Sequence, residues 1–259
     1  MSDILDKVRK LNWLLQESHS GALSFEEICE VLCDLLESNV YALDYDGKVL
    51  GVAFKVKEDS SLVSDEKTGD WIMPEEYNKE MLKITETKAN LHDADALKIF
   101  KYDYDTSVKL HTFIPIVGGG TRLGTLIMAR YEPEFTDEDL VLGEVSATIV
   151  GVEIQRNKME RERQEAREEA VVQMAIGTLS YSEAEAVQHI FSELEGDEGI
   201  LVASRIADKS GITRSVIVNA LRKLESASVI ETRSLGMKGT RIKVLNSKLK
   251  SELVKMKTQ

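Results

Sequence analysis

Cysteine is almost missing from this chain. There are two in 259 residues, Cys29 and Cys33, too few for a disulfide-built secreted scaffold. Three prolines and sixteen glycines exclude a collagenous or low-complexity chain. No apolar run approaches the roughly 18 residues that span a bilayer. The opening MSDILDKVRK also puts charges where a secretory signal needs an apolar stretch. The expectation is a cytoplasmic chain with no membrane partner. Histidine is scarce as well: His19, His92, His111 and His189 stand singly, without HxxxH or HExxH spacing. Each reads as a surface or satisfied core residue rather than a ligand or base. Cys29 and Cys33 lie one helical turn apart with no third or fourth ligand nearby, so they read as buried thiols rather than a zinc site. No G-x-S-x-G occurs and no Ser, His and acid arrangement stands out. No enzyme, catalytic residue, metal or cofactor is expected.

What is present is a globular balance, 42% hydrophobic and 30% charged, long enough for two domains with modest cores. The net charge of −12 alone argues against nucleic acid, but the charge is divided unevenly. Residues 200–259 hold 13 Lys/Arg against 4 Asp/Glu, a balance of +9, and the rest of the chain carries −21. Such asymmetry suggests a basic end for a polyanion and an acidic body with another task.

The first third opens with helical spacing of Ile4, Leu5, Val8, Leu11 and Leu15, then of Phe25, Ile28, Leu32 and Leu36 behind Ser24. Ser24 with Glu27 predicts a capping box. The period then changes to that of strands, at Val40–Leu43 and Val49–Val56 around Asp46-Gly47, and at Leu110–Val117 and Leu123–Arg130 around Gly118-Gly119-Gly120. Between these hairpins runs a long polar segment, about residues 58–107, with Trp71, Pro74, Tyr77, Phe100, Tyr102 and Tyr104. Its length suggests function rather than passive connection. The glycine run lacks the Lys-Ser/Thr pair and following helix of a phosphate loop, so it reads as a hairpin turn rather than a GTPase cradle. Asp44-Tyr45-Asp46-Gly47 has its glycine too early for a calcium loop. Thr136 caps a helix with acids in its first turn, continuing to about Leu179 through a stretch of Arg, Glu and Gln. Ser180 and Glu183 predict a capping box for the next helix. The organisation expected is α+β: a sensor-like domain over residues 1–155, a connecting helix over 156–179 and a second domain over 180–259.

The second domain carries the most specific pattern. Val202 to Ser210 is a short amphipathic helix, Gly211-Ile212 a tight turn, and Thr213 a cap for a helix from Arg214 to about Ala227. This is a helix–turn–helix, about residues 203–222. Arg214, Ser215, Val218, Asn219, Arg222 and Lys223 are left on its outer face, and Arg and Asn can read guanine and adenine edges bidentately. Val229–Thr232 and Arg241–Val244 read as strands around a basic loop holding Arg233 and Lys238. The whole predicts a winged helix–turn–helix with double-stranded DNA as partner. The expected contacts are Ala203, Ser204, Thr213, Arg214, Ser215, Val218, Asn219, Arg222, Lys223, Arg233, Lys238 and Arg241. Ser215 sits at the positive start of the recognition helix, where a phosphoserine would oppose DNA phosphate, so it is a candidate phosphorylation switch.

The stretch LVASRIADKSGITRSVIVNALRKLESASVIETRSLGMKGTRIKVLN resembles the carboxy-terminal signature of the CodY family of nutrient-responsive transcriptional repressors. The resemblance extends through AVVQMAIGTLSYSEAEAV and IPIVGGGTRLGTLI to KVRKLNWLLQ. It implies a GAF-like sensor domain binding isoleucine, leucine or valine, a winged helix–turn–helix, a homodimer, and GTP as second effector. Trp71, Ile72, Met73, Pro74, Tyr77 and Phe100 read equally as core or as pocket. The resemblance favours a pocket, with Met73, Pro74, Tyr77 and Phe100 as ligand-binding residues and His92 or Lys101 as polar contacts. The pattern also departs from the family. The Arg that grips the amino-acid carboxylate before an MPEEY-like segment has no counterpart between Asp59 and Asp70, and a basic SRRGK turn is replaced by Asp44-Tyr45-Asp46-Gly47-Lys48. Two added carboxylates repel a triphosphate, so GTP is a doubtful effector. Ser228 replaces a glycine, and Arg241 an aromatic residue.

Overall fold

The structure, a computed structural model, describes residues 3–17, 24–56, 62–65, 68–101, 103–194 and 196–256. His19, Tyr102 and part of the Asp59–Asp70 stretch lie outside them. The chain divides into two compact units, the first running to Lys158 and the second beginning at Met159.

The first unit opens with helices α1 (Asp3–Glu17) and α2 (Phe25–Leu36) and strands β1 (Asn39–Asp44) and β2 (Val49–Ala53). Short strands β3 (Val63–Ser64) and β4 (Trp71–Ile72) follow. Then come α3 (Glu75–Leu82), β5 (Lys88–Leu91), α4 (Asp93–Phe100), α5 (Tyr104–Ser107), β6 (Leu110–Gly118), β7 (Thr121–Arg130) and the start of α6 (Asp137–Gly177). The two hairpins join through an antiparallel β1–β7 pairing into one sheet, ordered β2-β1-β7-β6-β5. Alternation along the strands divides the core into two layers. Val40, Ala42, Ile114, Ile116, Leu126 and Met128 pack with the inner faces of α1, α2 and α6. Tyr41, Leu43, Phe113, Ile127 and Ala129 face the opposite layer, built by Met73, Met81, Ala96, Ile99 and Phe100.

The glycine run is the turn between β6 and β7, with Gly119 and Gly120 at φ 56° and 77°, the pair of positive angles a two-residue hairpin turn requires. At Gly124 a Cβ would lie 1.9 Å from the Leu43 carbonyl oxygen, so glycine alone permits the close β1–β7 approach. Both cysteines are buried and unbridged, and burial pushes the Cys29 thiol up to about 12. Ser24 differs from expectation. It occupies the N-cap position of α2, but its hydroxyl donates to Glu26 rather than forming a capping box with Glu27.

The second unit holds the end of α6, then α7 (Tyr181–Glu193), β8 (Glu198–Leu201), α8 (Ala203–Ser210), α9 (Arg214–Ser226), β9 (Ile230–Ser234), β10 (Thr240–Val244) and α10 (Leu249–Met256). The capping box at Ser180 and Glu183 is formed. Residues 156–179 are not a separate connecting element, because Val172 and Ala175 belong to the core of the second unit. The sheet has three strands, ordered β8-β10-β9, with β8 an edge strand that sequence periodicity does not reveal.

Candidate nucleic-acid interface and effector cavity

Helices α8 and α9 form the helix–turn–helix. Ile206 on α8 and Ile217, Ala220, Leu221 and Leu224 on α9 are buried at helical spacing, so the opposite face of α9 is left to solvent. Between them Gly211 takes φ 72° and its N–H donates to the Ala207 carbonyl, closing α8. Ile212 then turns into the core. Thr213 stands at the N-cap position of α9 but makes no side-chain cap bond. Its hydroxyl lies 3.1 Å from that of Ser215. Both residues, together with Ser204, Arg214, Val218, Asn219 and Arg222, are exposed. Ala203 is half-buried and packs on the core instead.

The basic residues fall into two groups. Arg214, Arg222, Arg233 and Lys238 are exposed and form no ion pair among the described residues. Lys223 and Arg241 are engaged. Lys223 Nζ donates to Glu183 at 2.6 Å and to the Thr178 carbonyl at 2.9 Å. The Lys223 ammonium, followed by the Ser180 N–H, holds the Glu183 carboxyl below its ordinary range. Arg241 pairs with Glu198 on β8. A hollow of about 630 Å³ lies between the last turns of α6 and the outer face of α9, lined in part by Met174, Thr178, Asn219 and Arg222.

In the first unit, the layer that covers Tyr41 and Ile127 contains a small cavity of about 20 Å³, room for about one water. Met73 and Phe100 line it, with Tyr41, Ile127 and Ala129 completing the apolar wall. Tyr77 packs edge-on against Phe100 at 5.5 Å, one shell behind, and Pro74 is the N-cap of α3. Neither lines the cavity. His92 and Lys101 are elsewhere too, paired with Asp93 and Glu76. The polar wall is made by Thr106, Lys109 and His111. His111 donates through Nδ1 to the Lys109 carbonyl at 3.0 Å and stacks with Phe113. Burial, above all, lowers its pKa to about 4, so the ring is neutral near pH 7.

A model of the CodY GAF-like domain matches residues 3–178, and one of the CodY helix–turn–helix domain matches residues 197–257. The chain belongs to the CodY family. It is 54% identical over 259 residues, 99% of this chain and all of the relative, to the global transcriptional regulator CodY of Clostridium perfringens (strain SM101 / Type A). Identity and coverage are the same with that of Clostridium botulinum (strain Hall / ATCC 3502 / NCTC 13319 / Type A). The first unit is similar to the cofactor-binding GAF domain of the nutrient sensor CodY from Clostridium difficile, at 44% identity and a TM-score of 0.50, covering 60% of this chain and 99% of that one. This CodY-family chain is therefore a transcriptional regulator with a helix–turn–helix DNA-binding domain and a GAF ligand-binding domain, a role without catalysis.

Two positions singled out in the sequence take physical form. Asp44 folds its carboxylate back onto the Asp46 and Lys48 N–H groups, and burial raises its pKa against those bonds. Lys48 is tied to Asp70 at 2.7 Å. Ser228 adopts φ 57°, a left-handed conformation that costs a non-glycine residue about 1 kcal/mol. Among the described residues no group of three or more His, Cys, Asp or Glu could hold a metal ion, and no helix is long and apolar enough to cross a membrane.

Proposed function

We propose that the chain is a cytoplasmic, homodimeric repressor whose affinity for double-stranded operator DNA rises when a small nutrient effector occupies the first unit. The observation that carries the DNA half is the exposed outer face of α9, flanked by Arg214, Arg222, Arg233 and Lys238 without ion-pair partners among the described residues. These cations can meet phosphates, while Asn219 and Arg222 reach base edges. Ala203 and Lys223 support the helix–turn–helix from behind and make no DNA contact in this reading. Ser204, Thr213, Ser215, Val218 and Arg241 remain proposed contacts, Arg241 only after release from Glu198.

The effector half rests on the cavity's two-sided lining, apolar at Met73, Phe100 and Ile127 and polar at Thr106, Lys109 and His111. That lining matches an α-amino acid with a branched apolar side chain: isoleucine, leucine or valine. GTP finds no comparable place at the Asp44–Lys48 turn, whose carboxylates repel it. The small size of the cavity favours a second reading, a DNA-binding repressor with a vestigial sensor. Operator binding by fluorescence anisotropy, with each branched-chain amino acid and with GTP, distinguishes them. A gain in affinity with an amino acid and none with GTP supports the first reading. No response to any amino acid supports the second, and a strong response to GTP overturns the reading of the turn.

A further inference from the structure

The hollow of about 630 Å³ beside α9 lies wholly within the second unit. Its volume falls in the range of an ordinary small-molecule site, about 300–1,000 Å³. The end of α6 gives it Val171, Met174 and Ala175, and the last turns of α9 with its C-cap give it Asn219, Arg222 and Ala227. Most of that wall is aliphatic, and no aromatic ring lines it among the described residues. Met174 is 67% exposed, an unbranched, adaptable apolar side chain held in water.

The polar part of the wall is mostly satisfied from within. Lys223 and Glu183 neutralise each other at 2.6 Å, and Glu183 also accepts from the Ser180 N–H. The Thr178 hydroxyl donates to the Ala175 carbonyl, and the Ser226 hydroxyl to the Arg222 carbonyl. Arg222 is different. Its guanidinium has neither ion pair nor hydrogen bond among the described residues, and the exposed Asn219 amide beside it is equally free. The hollow therefore sets one uncommitted positive charge against an aliphatic wall. A DNA phosphate satisfies the charge and leaves the wall in water. An anionic head on a saturated chain satisfies both.

We infer that the hollow between the end of α6 and α9 binds an acyl carboxylate, its chain against Val171, Met174 and Ala227 and its head on Arg222. The planar guanidinium can take both carboxylate oxygens, and the Asn219 amide can donate to one of them. Occupancy has a direct consequence. Arg222 and Asn219 are the residues that reach base edges in the DNA reading above, on which this part of the inference rests. A ligand that holds them withdraws them from the operator, so it lowers DNA affinity. Its sign is opposite to that of the effector proposed for the first unit, and it needs no signal from that unit.

Calorimetry on the full chain without DNA compares octanoate with 1-octanol, which lacks the charge, and with acetate, which lacks the chain. The parent should bind octanoate, prefer it to 1-octanol by about threefold or more, as one exposed charge pair allows, and not bind acetate. Arg222→Gln should erase the preference and leave 1-octanol binding unchanged. Ser226→Phe fills the hollow from its polar side and should weaken both ligands tenfold or more. Met174→Gln should weaken both a few-fold, and it serves if thermal unfolding shows that Ser226→Phe does not fold. Operator anisotropy at constant ionic strength then tests the competition. Octanoate should weaken binding by the parent, acetate should not, and Ser226→Phe should bind operator indifferently to octanoate. Octanoate binding no tighter than that of acetate, or binding that survives both Ser226→Phe and Met174→Gln, overturns the site. So does a change of oligomeric state in Ser226→Phe by sedimentation, which would make the hollow a subunit contact. Octanoate bound in the hollow without effect on operator affinity supports the site and overturns the competition. A parent that binds no operator overturns the DNA reading, and the calorimetry still decides the site.

Discussion

The ion pairs at the DNA-binding face make a quantitative difference to how affinity falls with salt. Each phosphate neutralised on duplex DNA contributes about 0.9 to the slope of log K against log salt. All six basic residues expected at the interface would give a slope near −5.4 per chain. The structure engages Lys223 with Glu183 and Arg241 with Glu198, leaving Arg214, Arg222, Arg233 and Lys238, for a slope near −3.6. Between 50 and 200 mM salt the corresponding loss of affinity is about 150-fold, against about 1,800-fold for six contacts. Fluorescence anisotropy of a labelled operator over that range separates these values. Glu198→Gln releases Arg241, so its slope should steepen by about 0.9. A parent slope near −5.4 that Glu198→Gln leaves unchanged would mean that the two pairs open on DNA. A slope shallower than about −1 would remove the proposed phosphate contacts altogether.

His111 gives a pH dependence with a fixed sign. Its pKa is about 4 in the folded chain against an ordinary 6.5, so the unfolded chain takes the proton first and stability falls as pH drops from about 6.5 toward 4. The loss reaches up to about 3 kcal/mol, and His111→Phe should flatten it in urea unfolding at pH 7 and pH 5. Equal slopes in parent and variant would refute this. At Ser215, Ser215→Asp should weaken operator binding by tenfold or more while circular dichroism stays unchanged, and Ser215→Ala should bind like the parent. Binding by Ser215→Asp at parental strength would exclude the phosphorylation switch. Ser228→Gly should raise the stability of the second unit by about 1 kcal/mol. An unchanged midpoint would show that the left-handed backbone at that residue carries no strain.

The parts of the fold that could be read from the residues are those encoded by local periodicity. The strand-like runs at Val40–Leu43, Val49–Val56, Leu110–Val117 and Leu123–Arg130 give four of the sheet's strands. The apolar spacing of α9, with Gly211 before it, gives the helix–turn–helix. Ser180 and Glu183 carry their capping box in three residues. Elements made by pairing alone were not legible: β5 and β8 are four-residue strands whose hydrogen bonds, rather than side-chain pattern, hold them in a sheet. The same holds for the site. Met73 and Phe100 were expected at the cavity, and Lys109 and His111 were not, because the wall is assembled from β1, β7, the start of β6 and segments between them. The Glu183–Lys223 pair spans forty residues of sequence, and a capping carboxylate gives no local sign that it also holds a lysine. Ser228 showed its departure through residue type alone, and the φ angle supplied the physical reason.

The shared helix α6 limits how this chain can be taken apart. Leu142, Ala147 and Val150 serve the first core, and Val172 and Ala175 of the same helix serve the second. A DNA-binding fragment beginning at Ser180 would start with two buried side chains missing and a cavity in their place, which for alanine and valine together costs a few kcal/mol. The workable cut lies in the exposed run between Arg161 and Arg167, where severing the helix removes no core residue from either part. Exchange of this DNA-binding domain between sensors therefore has to join helix to helix within that run, since no loop offers a seam.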